Sequence, residues 1–293
     1  MQITDALTKF LVQLEADGRS CHTIAQYRRH IRLFAHWAAE VDHSGEISEI
    51  SHEVLAAFLV APEARTRPDG GRKKETSTNA LRSSVRNFFR YLHQAGYIDQ
   101  DPARLIRRAI CGSPPPRALS DDEVTRLMAT LEAAEGFEGR RDHALFHTML
   151  ATGIRLGSAV ALDVEDVDLG EGLLMLRATK GDRPDVVYLG REIRDHLQVF
   201  VGERTHGPLF TSRRGERLSH RHVQRRFGIW LEKASITRRA SCHCLRHTFA
   251  TSLYIKSNDI LLVQSALKHR SIISTTKYAQ LSENRLRLAL EIL

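Results

Sequence analysis

The stretch CGSPPPRALSDDE, residues 111–123, decides how the chain is organised. Its three consecutive prolines cannot continue a helix and favour an extended, semi-rigid segment. Ser120 then suits the N-cap of a new helix, because Glu123 stands at the third helical position of a capping box. The stretch therefore predicts three parts: a helical domain over residues 1–108, a proline-rich linker over residues 109–117 and a second domain over residues 118–293.

Before the prolines, apolar residues recur at the spacing of amphipathic helices. The predicted helices cover residues 3–14, residues 24–38 behind the N-cap Ser20, a short segment after Ser51, and residues 76–95 before the stop signal Gly96. Residues 62–74 are rich in proline, glycine and charge, so they are predicted to form a loop.

After the prolines, helical and strand patterns alternate. Residues 173–176 and 186–189 flank a turn at residues 179–182 and predict a β-hairpin. One helix is predicted to end near Thr152 and Gly153, and others to cover residues 193–201, 219–233, 245–255, 259–267 and 283–293. The predicted fold is mainly α-helical with a small β-sheet.

The composition indicates a partner made of phosphate. The 293 residues include 43 Lys and Arg against 35 Asp and Glu, with a formal charge of +8, which favours a polyanion through counterion release. A hydrophobic content of 42% is enough for sizeable cores. The four cysteines form no disulfide framework, and neither a secretory signal nor a long apolar run is evident. These features predict a soluble protein of the cytoplasm, associated with the nucleoid.

The basic residues are concentrated on helix faces that point away from the apolar stripes. Any one such face is most often only solvated surface. Three of them, spread over both domains, predict a protein that binds DNA. The faces carry Arg28, Arg29 and Arg32; Arg82, Arg86 and Arg90; and Arg221, Arg225 and Arg226.

A tyrosine near the carboxyl end has basic residues before it in sequence. Tyr278 stands nine residues after His269, and His243 and Arg246 lie upstream. A phenol has an unperturbed pKa of about 10, so a nucleophilic tyrosine needs cationic or basic neighbours near neutral pH. Taken singly, each of these residues has an ordinary structural explanation, such as a helix cap or an ion pair. Their joint order predicts a site that attacks phosphate.

Five short motifs occur in a fixed order along the chain. They are ATGIR at 151–155, TKGDR at 179–183, HCLRHTFAT at 243–251, LKH at 267–269 and STTKY at 274–278. Each is weak alone. Together they resemble the tyrosine recombinase family, which includes phage integrases and Xer-type recombinases, and the resemblance covers nearly the whole chain.

The resemblance implies a role for each site residue. Tyr278 is the nucleophile, and Arg155 and Arg246 clamp the scissile phosphate, because a guanidinium stays charged and reaches two oxygens with a fixed fork. His243 and His269 assist at the phenol or the phosphate. Lys180, on the hairpin, is the general acid for the departing 5′ hydroxyl.

The resemblance also implies the fold, partners and reaction. The fold is a helical SAM-like core-binding domain and a mixed α/β catalytic domain that together form a C-shaped DNA clamp. The partners are double-stranded DNA with a specific recombination site and a homotetramer on synapsed DNA, with a monomer in solution left open. The reaction passes through a 3′-phosphotyrosyl bond and a Holliday junction, and no metal or other cofactor is expected. The apolar tail after Tyr278 packs on its own domain or docks onto a neighbouring protomer.

Ser158 departs from the family pattern. Many relatives carry an acidic residue three positions after the first arginine, and the resemblance makes that residue an organiser of the site. Asp163 or Glu165 are candidates to compensate, and an active enzyme is still predicted. Two alternatives remain: a type IB topoisomerase, and a DNA-binding protein that has kept the fold and lost catalysis.

A cluster of cysteine and histidine invites a metal interpretation. Cys242, His243, Cys244 and His247 lie close in sequence. Structural zinc usually takes four ligands from two well-spaced pairs, and no second cysteine pair is near. A zinc site is therefore not predicted here.

Overall fold

The computed structural model describes residues 1–41, 44–111, 118–177, 185–238 and 240–268. The chain divides into two compact units, Met1–Ser113 and Pro114–Leu293. The division falls between the serine and the first of the three prolines, close to the linker predicted from the sequence.

The regular elements of unit 1, in its described residues, are helices joined by turns and loops. Its helices are α1 (Ile3–Ala16), α2 (Cys21–Glu40), α3 (His52–Val60), α4 (Pro62–Arg65) and α5 (Glu75–Gln94). The predicted N-cap Ser20 is confirmed, because its side chain accepts a hydrogen bond from the Thr23 N–H. Ser51 caps α3 in the same way, by accepting from the Val54 N–H. Gly96 ends α5 as predicted, with a left-handed φ of +74°.

The core of unit 1 is aromatic. Phe34, Phe58, Phe88 and Phe89 are fully buried. The Phe34 and Phe58 ring centroids are 5.1 Å apart in an edge-to-face arrangement, as are those of Phe88 and Phe89. The Phe34 ring centroid also lies 5.9 Å from that of Phe89, so aromatic contacts connect α2 to α3 and to α5 in a single core.

The prediction of a loop over residues 62–74 is wrong at its start. Pro62 occupies the first turn of α4, where its missing N–H costs no hydrogen bond. Lys73 donates from Nζ to the carbonyls of Glu63 (2.8 Å) and Ala64 (3.2 Å), which satisfies acceptors at the end of this short helix. A helix of one turn that is completed by a distant lysine has no periodic pattern in the sequence.

Unit 2 combines helices with a small sheet. In its described residues it contains α6 (Asp121–Glu132), α7 (Gly136–Thr152), α8 (Leu156–Ala161), β1 (Val167–Asp168), β2 (Leu173–Leu176), β3 (Asp185–Tyr188), α9 (Arg191–Val201), α10 (His220–Lys233), α11 (His243–Ser257) and α12 (Ile260–Ala266). The strands are antiparallel in the order β1-β2-β3, with Leu174 paired to Val167 and to Val187. The predicted hairpin strands are confirmed, while β1 and α8 were not predicted.

The start of α6 has the predicted capping box. Glu123 donates from its N–H to the Ser120 hydroxyl (3.2 Å), and its carboxylate accepts from the Ser120 N–H (2.9 Å). Arg238 also donates to this carboxylate, at 2.8 Å from Nε and from Nη2. These bonds from Arg238 are the largest cause that lowers the pKa of Glu123 to about 2. The beginning of unit 2 is thereby tied to the segment before α11.

A buried ionic network joins α7 to α10. Arg141 and Asp142 are each only 1% exposed. Arg141 donates from Nε (2.9 Å) and Nη2 (2.7 Å) to Asp142 Oδ1, while Oδ2 accepts from Arg226 Nε (2.7 Å) and Trp230 Nε1 (2.8 Å). Both carboxylate oxygens are thus satisfied inside the core, as a buried charge requires.

The described ranges of the chain contain no helix long and apolar enough to cross a membrane.

Candidate active site

Three sequence-predicted segments of unit 2 come together at one buried arginine. Arg246, in α11, is 3% exposed. Its Nη1 donates to the carbonyl of Gly153, two residues before Arg155, and its Nη2 to the carbonyl of Leu267, two residues before His269; both bonds are 2.6 Å long. One guanidinium therefore holds the backbone of the two motifs that carry those other site residues.

The helix α7 ends in a left-handed glycine that is packed against α11. Gly153 has φ +65°, and its N–H donates to the Met149 carbonyl. A Cβ built there would lie 2.3 Å from Phe249 Cδ1. Glycine is therefore required twice, by the backbone conformation and by the close approach of the Phe249 ring. This turn sets the direction in which the chain leaves α7 toward Arg155.

Gly153→Ala is expected to destabilise unit 2 by about 2–4 kcal/mol, from left-handed strain together with overpacking against Phe249. Gly18→Ala is the matched control, because Gly18 also follows a helix with φ +67° but has no atom within 4 Å of the place that a Cβ would take. The control is expected to cost only the strain, about 1–2 kcal/mol. Urea denaturation followed by circular dichroism measures both; equal losses would show that the Phe249 contact is unimportant.

Arg155 and His243 present their side chains at the surface. Arg155 is the N-cap residue of α8, and its carbonyl accepts from the Ala159 N–H at 2.9 Å. His243 is the first residue of α11, with its ring 4.5 Å from that of His247. Both site residues are exposed. They can therefore contact a ligand at the surface, whereas Arg246 lies beneath.

Lys180, His269 and Tyr278 lie outside the described residues. The strand before Lys180 is nevertheless firmly held, because Arg177 donates from Nη1 to Asp163 Oδ2 at 2.7 Å and from Nε to Asp166 Oδ1. The bond to Asp166 is the largest cause that raises the pKa of Arg177. Sequence reasoning missed this anchor, although an arginine three residues before the predicted lysine was a usable signal.

The two carboxylates that were candidates to compensate for Ser158 have other surroundings in the structure. Ser158 lies in α8 and is half-buried. Asp163, a candidate to compensate for it, is occupied by Arg177 and Arg217. Glu165, the other candidate, is exposed. The carboxylate of Asp163 therefore binds Arg177, the residue after β2, together with Arg217.

Two thiols near His243 are unsuited to metal binding. Cys242 and Cys244 are buried, and burial is the largest cause that raises the pKa of each thiol to about 12. The thiolate is the form that binds zinc. The sequence argument against a zinc site at these cysteines thus has a physical basis in the fold.

The predicted basic faces are mostly exposed, with two departures. Arg82 is half-buried and donates to Thr78 and Asn79. Arg226 was predicted to oppose the core, but it pairs with Asp142 inside unit 2, since it lies three residues after Val223 and four before Trp230 on the apolar stripe. The exposed members are Arg28, Arg29, Arg32, Arg86, Arg90, Arg221 and Arg225.

The order of the basic residues and the two-unit fold correspond to a known class of DNA-rejoining enzymes. Residues 117–285 match the model of the phage integrase family, and residues 7–96 match the phage integrase N-terminal SAM-like domain. The chain belongs to the phage integrase family of tyrosine recombinases.

One relative is similar over nearly the whole chain. Tyrosine recombinase XerC of Pelobacter propionicus is 30% identical over 290 residues, which cover 97% of this chain and 93% of that protein. The sequence-based assignment to the tyrosine recombinases is thereby confirmed.

Solved structures confirm the predicted fold class. The XerH site-specific recombinase bound to difH substrate, in a pre-cleavage complex, has a TM-score of 0.73 at 23% identity and covers 98% of this chain and 83% of that one. The lambda integrase tetramer bound to a Holliday junction has a TM-score of 0.72 at 20% identity, covering 92% and 78%. At these identities the likeness establishes the shared fold.

Proposed function

We propose that the protein is a site-specific DNA recombinase that cleaves and rejoins DNA through a 3′-phosphotyrosyl intermediate and a Holliday junction. The observation that carries this proposal is the position of Arg246, which bonds the backbone beside Arg155 and beside His269. A phosphate-transfer site needs its cations fixed before the substrate arrives, since reorganising them during the reaction costs part of the stabilisation. The two carbonyl bonds hold the guanidinium in one orientation.

Arg155 and His243 are the proposed phosphate-binding groups at the surface, and Arg246 is the buried cation that completes the proposed site. Attack on a phosphodiester concentrates negative charge on the nonbridging oxygens, which guanidinium donors stabilise. His243 lies at the amino end of α11, a helix of 15 residues. The helix dipole favours an anion at that end.

In the proposed cleavage step, the Tyr278 oxygen attacks phosphorus and the bond from phosphorus to the 5′ oxygen breaks. His243 accepts the phenol proton, His269 donates a hydrogen bond to the phosphate, and Lys180 gives a proton to the 5′ oxygen. Attack by a 5′ hydroxyl reverses these transfers and restores the phosphodiester. The phosphotyrosyl bond conserves the energy of the broken phosphodiester bond, so this scheme uses no ATP. Side chains of the protein stabilise the negative charge that develops on the phosphate.

The proposed partners are double-stranded DNA with a specific site and three further copies of the chain. XerH was solved on its difH substrate, and lambda integrase as a tetramer on a Holliday junction. By analogy, the exposed arginines of both units contact the DNA backbone. The proposed cellular location is the cytoplasm, where the protein associates with the DNA of the nucleoid.

The alternative functions have less support. XerC matches more than nine-tenths of both chains and is a recombinase, which does not favour a topoisomerase. All six residues that the resemblance makes catalytic are present in the sequence, which argues against a loss of catalysis. Ser158 therefore modifies the site in this proposal without inactivating it.

A covalent protein–DNA adduct tests the proposal. Selection of bound duplexes from a random library with Tyr278→Phe gives a recognised site without cleavage. Wild-type protein is then incubated with a nicked duplex that carries this site, and adducts that resist denaturant are counted. We expect an adduct for wild type and none for Tyr278→Phe, which retains the same affinity for DNA because the lost hydroxyl is the attacking group.

Each other outcome has a definite meaning. The absence of an adduct with wild type on the selected site would contradict the enzymatic proposal, and an adduct with Tyr278→Phe would assign the nucleophile elsewhere. Relaxation of supercoiled plasmid without the site, and without pairing of two DNAs, would favour the topoisomerase.

A further inference from the structure

Three histidines that have no part in the proposed DNA cleavage form a cluster where α7 packs against α9. His143 and His147 lie one turn apart on α7, and His196 lies on α9. The ring centroid of His196 is 4.2 Å from that of His143 and 5.1 Å from that of His147. Two histidines four residues apart on one helix face are a common chelating pair. The third comes from a different helix.

The ring nitrogens are near the separations that a metal ion requires. One nitrogen from each ring lies within 4.8 Å of the others, and the Nδ1 atoms of His147 and His196 are 2.8 Å apart. An ion that binds imidazoles at about 2.0–2.1 Å in tetrahedral geometry separates its ligand nitrogens by about 3.4 Å. Small rotations of the rings connect the two arrangements.

The surroundings keep the imidazoles neutral and supply negative charge nearby. Burial is the largest cause that lowers the pKa of His143 and His147 to about 4, and it also lowers the pKa of His196. Neutral imidazole is the form that binds metals. Glu192 Oε1 lies 3.6 Å from His147 Nε2. The charge of Glu132 partly opposes the lowering of the pKa of His143 and of His196. The carboxylates offset the charge of a bound cation.

We propose that His143, His147 and His196 bind one divalent transition-metal ion of the Zn²⁺ type. Three imidazoles fill three positions of a tetrahedral site, and a water molecule or Glu192 fills the fourth. The ion links α7, which leads to Gly153 and Arg155, to α9, which follows the sheet. Its role is to fix these two helices together, and it takes no part in phosphoryl transfer.

Metal content and thermal stability test the proposal on the full-length, tag-free protein after treatment with a chelator. Zn²⁺ is the probe, and His147→Gln and His196→Gln are the test variants. His206→Gln is the matched control, because His206 is an exposed histidine of the same unit. We expect wild type and the control to retain one Zn²⁺ per chain after desalting, and the test variants to bind at least about 10-fold more weakly, the loss that even an outer-shell partner causes.

Thermal shifts separate binding from simple destabilisation by mutation. Each protein is compared with its own chelator-treated form. At about 100 times the Kd of wild type, Zn²⁺ is expected to raise the Tm of wild type by roughly 5 °C or more and that of the test variants by at least about 2 °C less, because a 10-fold weaker site still gains some stabilisation. Co²⁺ in place of Zn²⁺ should give a tetrahedral spectrum without the sulfur charge-transfer band of thiolate ligands. Full retention of Zn²⁺ by both variants, or no binding to wild type at micromolar Zn²⁺, would overturn the proposal.

Discussion

Asp142→Ala is expected to lower the free energy of unfolding of unit 2 by about 3–5 kcal/mol. The change removes the acceptor of four hydrogen bonds and leaves Arg141, 1% exposed, as a buried charge whose Nε and Nη2 have lost their acceptor. Arg226 and Trp230 lose the same acceptor. Leaving the Arg141 charge buried without its carboxylate costs more free energy than is regained by no longer burying the Asp142 carboxylate.

The measurement uses the two tryptophans of the chain. In a Trp37→Phe background, Trp230 is the remaining tryptophan, so its fluorescence in urea follows unit 2 alone. Asp122→Ala is the matched control, because Asp122 is 77% exposed and pairs with Arg126 at 3.0 Å on the surface. It is expected to cost less than about 1 kcal/mol. Similar losses for the two variants would mean that the Asp142 network contributes no more than a surface pair.

Features of the fold that depend on local sequence could be predicted from the sequence. The Ser120 capping box needs only residues three positions apart, and the end of α5 needs only a glycine after an apolar stripe. Strand β1 has two residues and α8 has six, which is too short for a periodic pattern. Arg226 was misassigned for a different reason. Its position on the helical wheel could be read from the sequence, but its buried partner Asp142 is 84 residues away.

The candidate site was predictable in its residue types and order, but its architecture was not. The motifs identified Arg155, His243 and Arg246 as candidate site residues. They could not show that Arg246 donates to two backbone carbonyls, because every residue has a carbonyl and sequence does not distinguish them. The histidine cluster has the same limit. The spacing of His143 and His147 is evident in the sequence, whereas the approach of His196 depends on how α7 packs on α9.

Arg246→Lys is expected to reduce single-turnover DNA cleavage at least about 100-fold. The planar guanidinium of Arg246 uses two separate nitrogens to bond the Gly153 and Leu267 carbonyls. A lysine has one ammonium nitrogen on a shorter side chain, so it cannot reproduce both bonds. The segments that lead to Arg155 and His269 then lose their common support. A displacement of about 1 Å at a reacting centre is enough for a loss of this size. Stability is also expected to fall, by about 1–3 kcal/mol.

Arg204→Lys separates the positioning effect from the loss of stability. Arg204 also donates to backbone carbonyls, those of Val201, Leu209 and Phe200, but it lies after α9 and outside the proposed site. Its replacement is expected to lower stability by a smaller amount, because Arg204 is exposed, and to leave cleavage within about threefold of wild type. Cleavage is measured at a temperature at which circular dichroism shows all proteins folded. If both lysine variants cleave equally well, Arg246 has only a structural role. If only Arg246→Lys fails, the same bonds that hold the loops also set the geometry of the reaction.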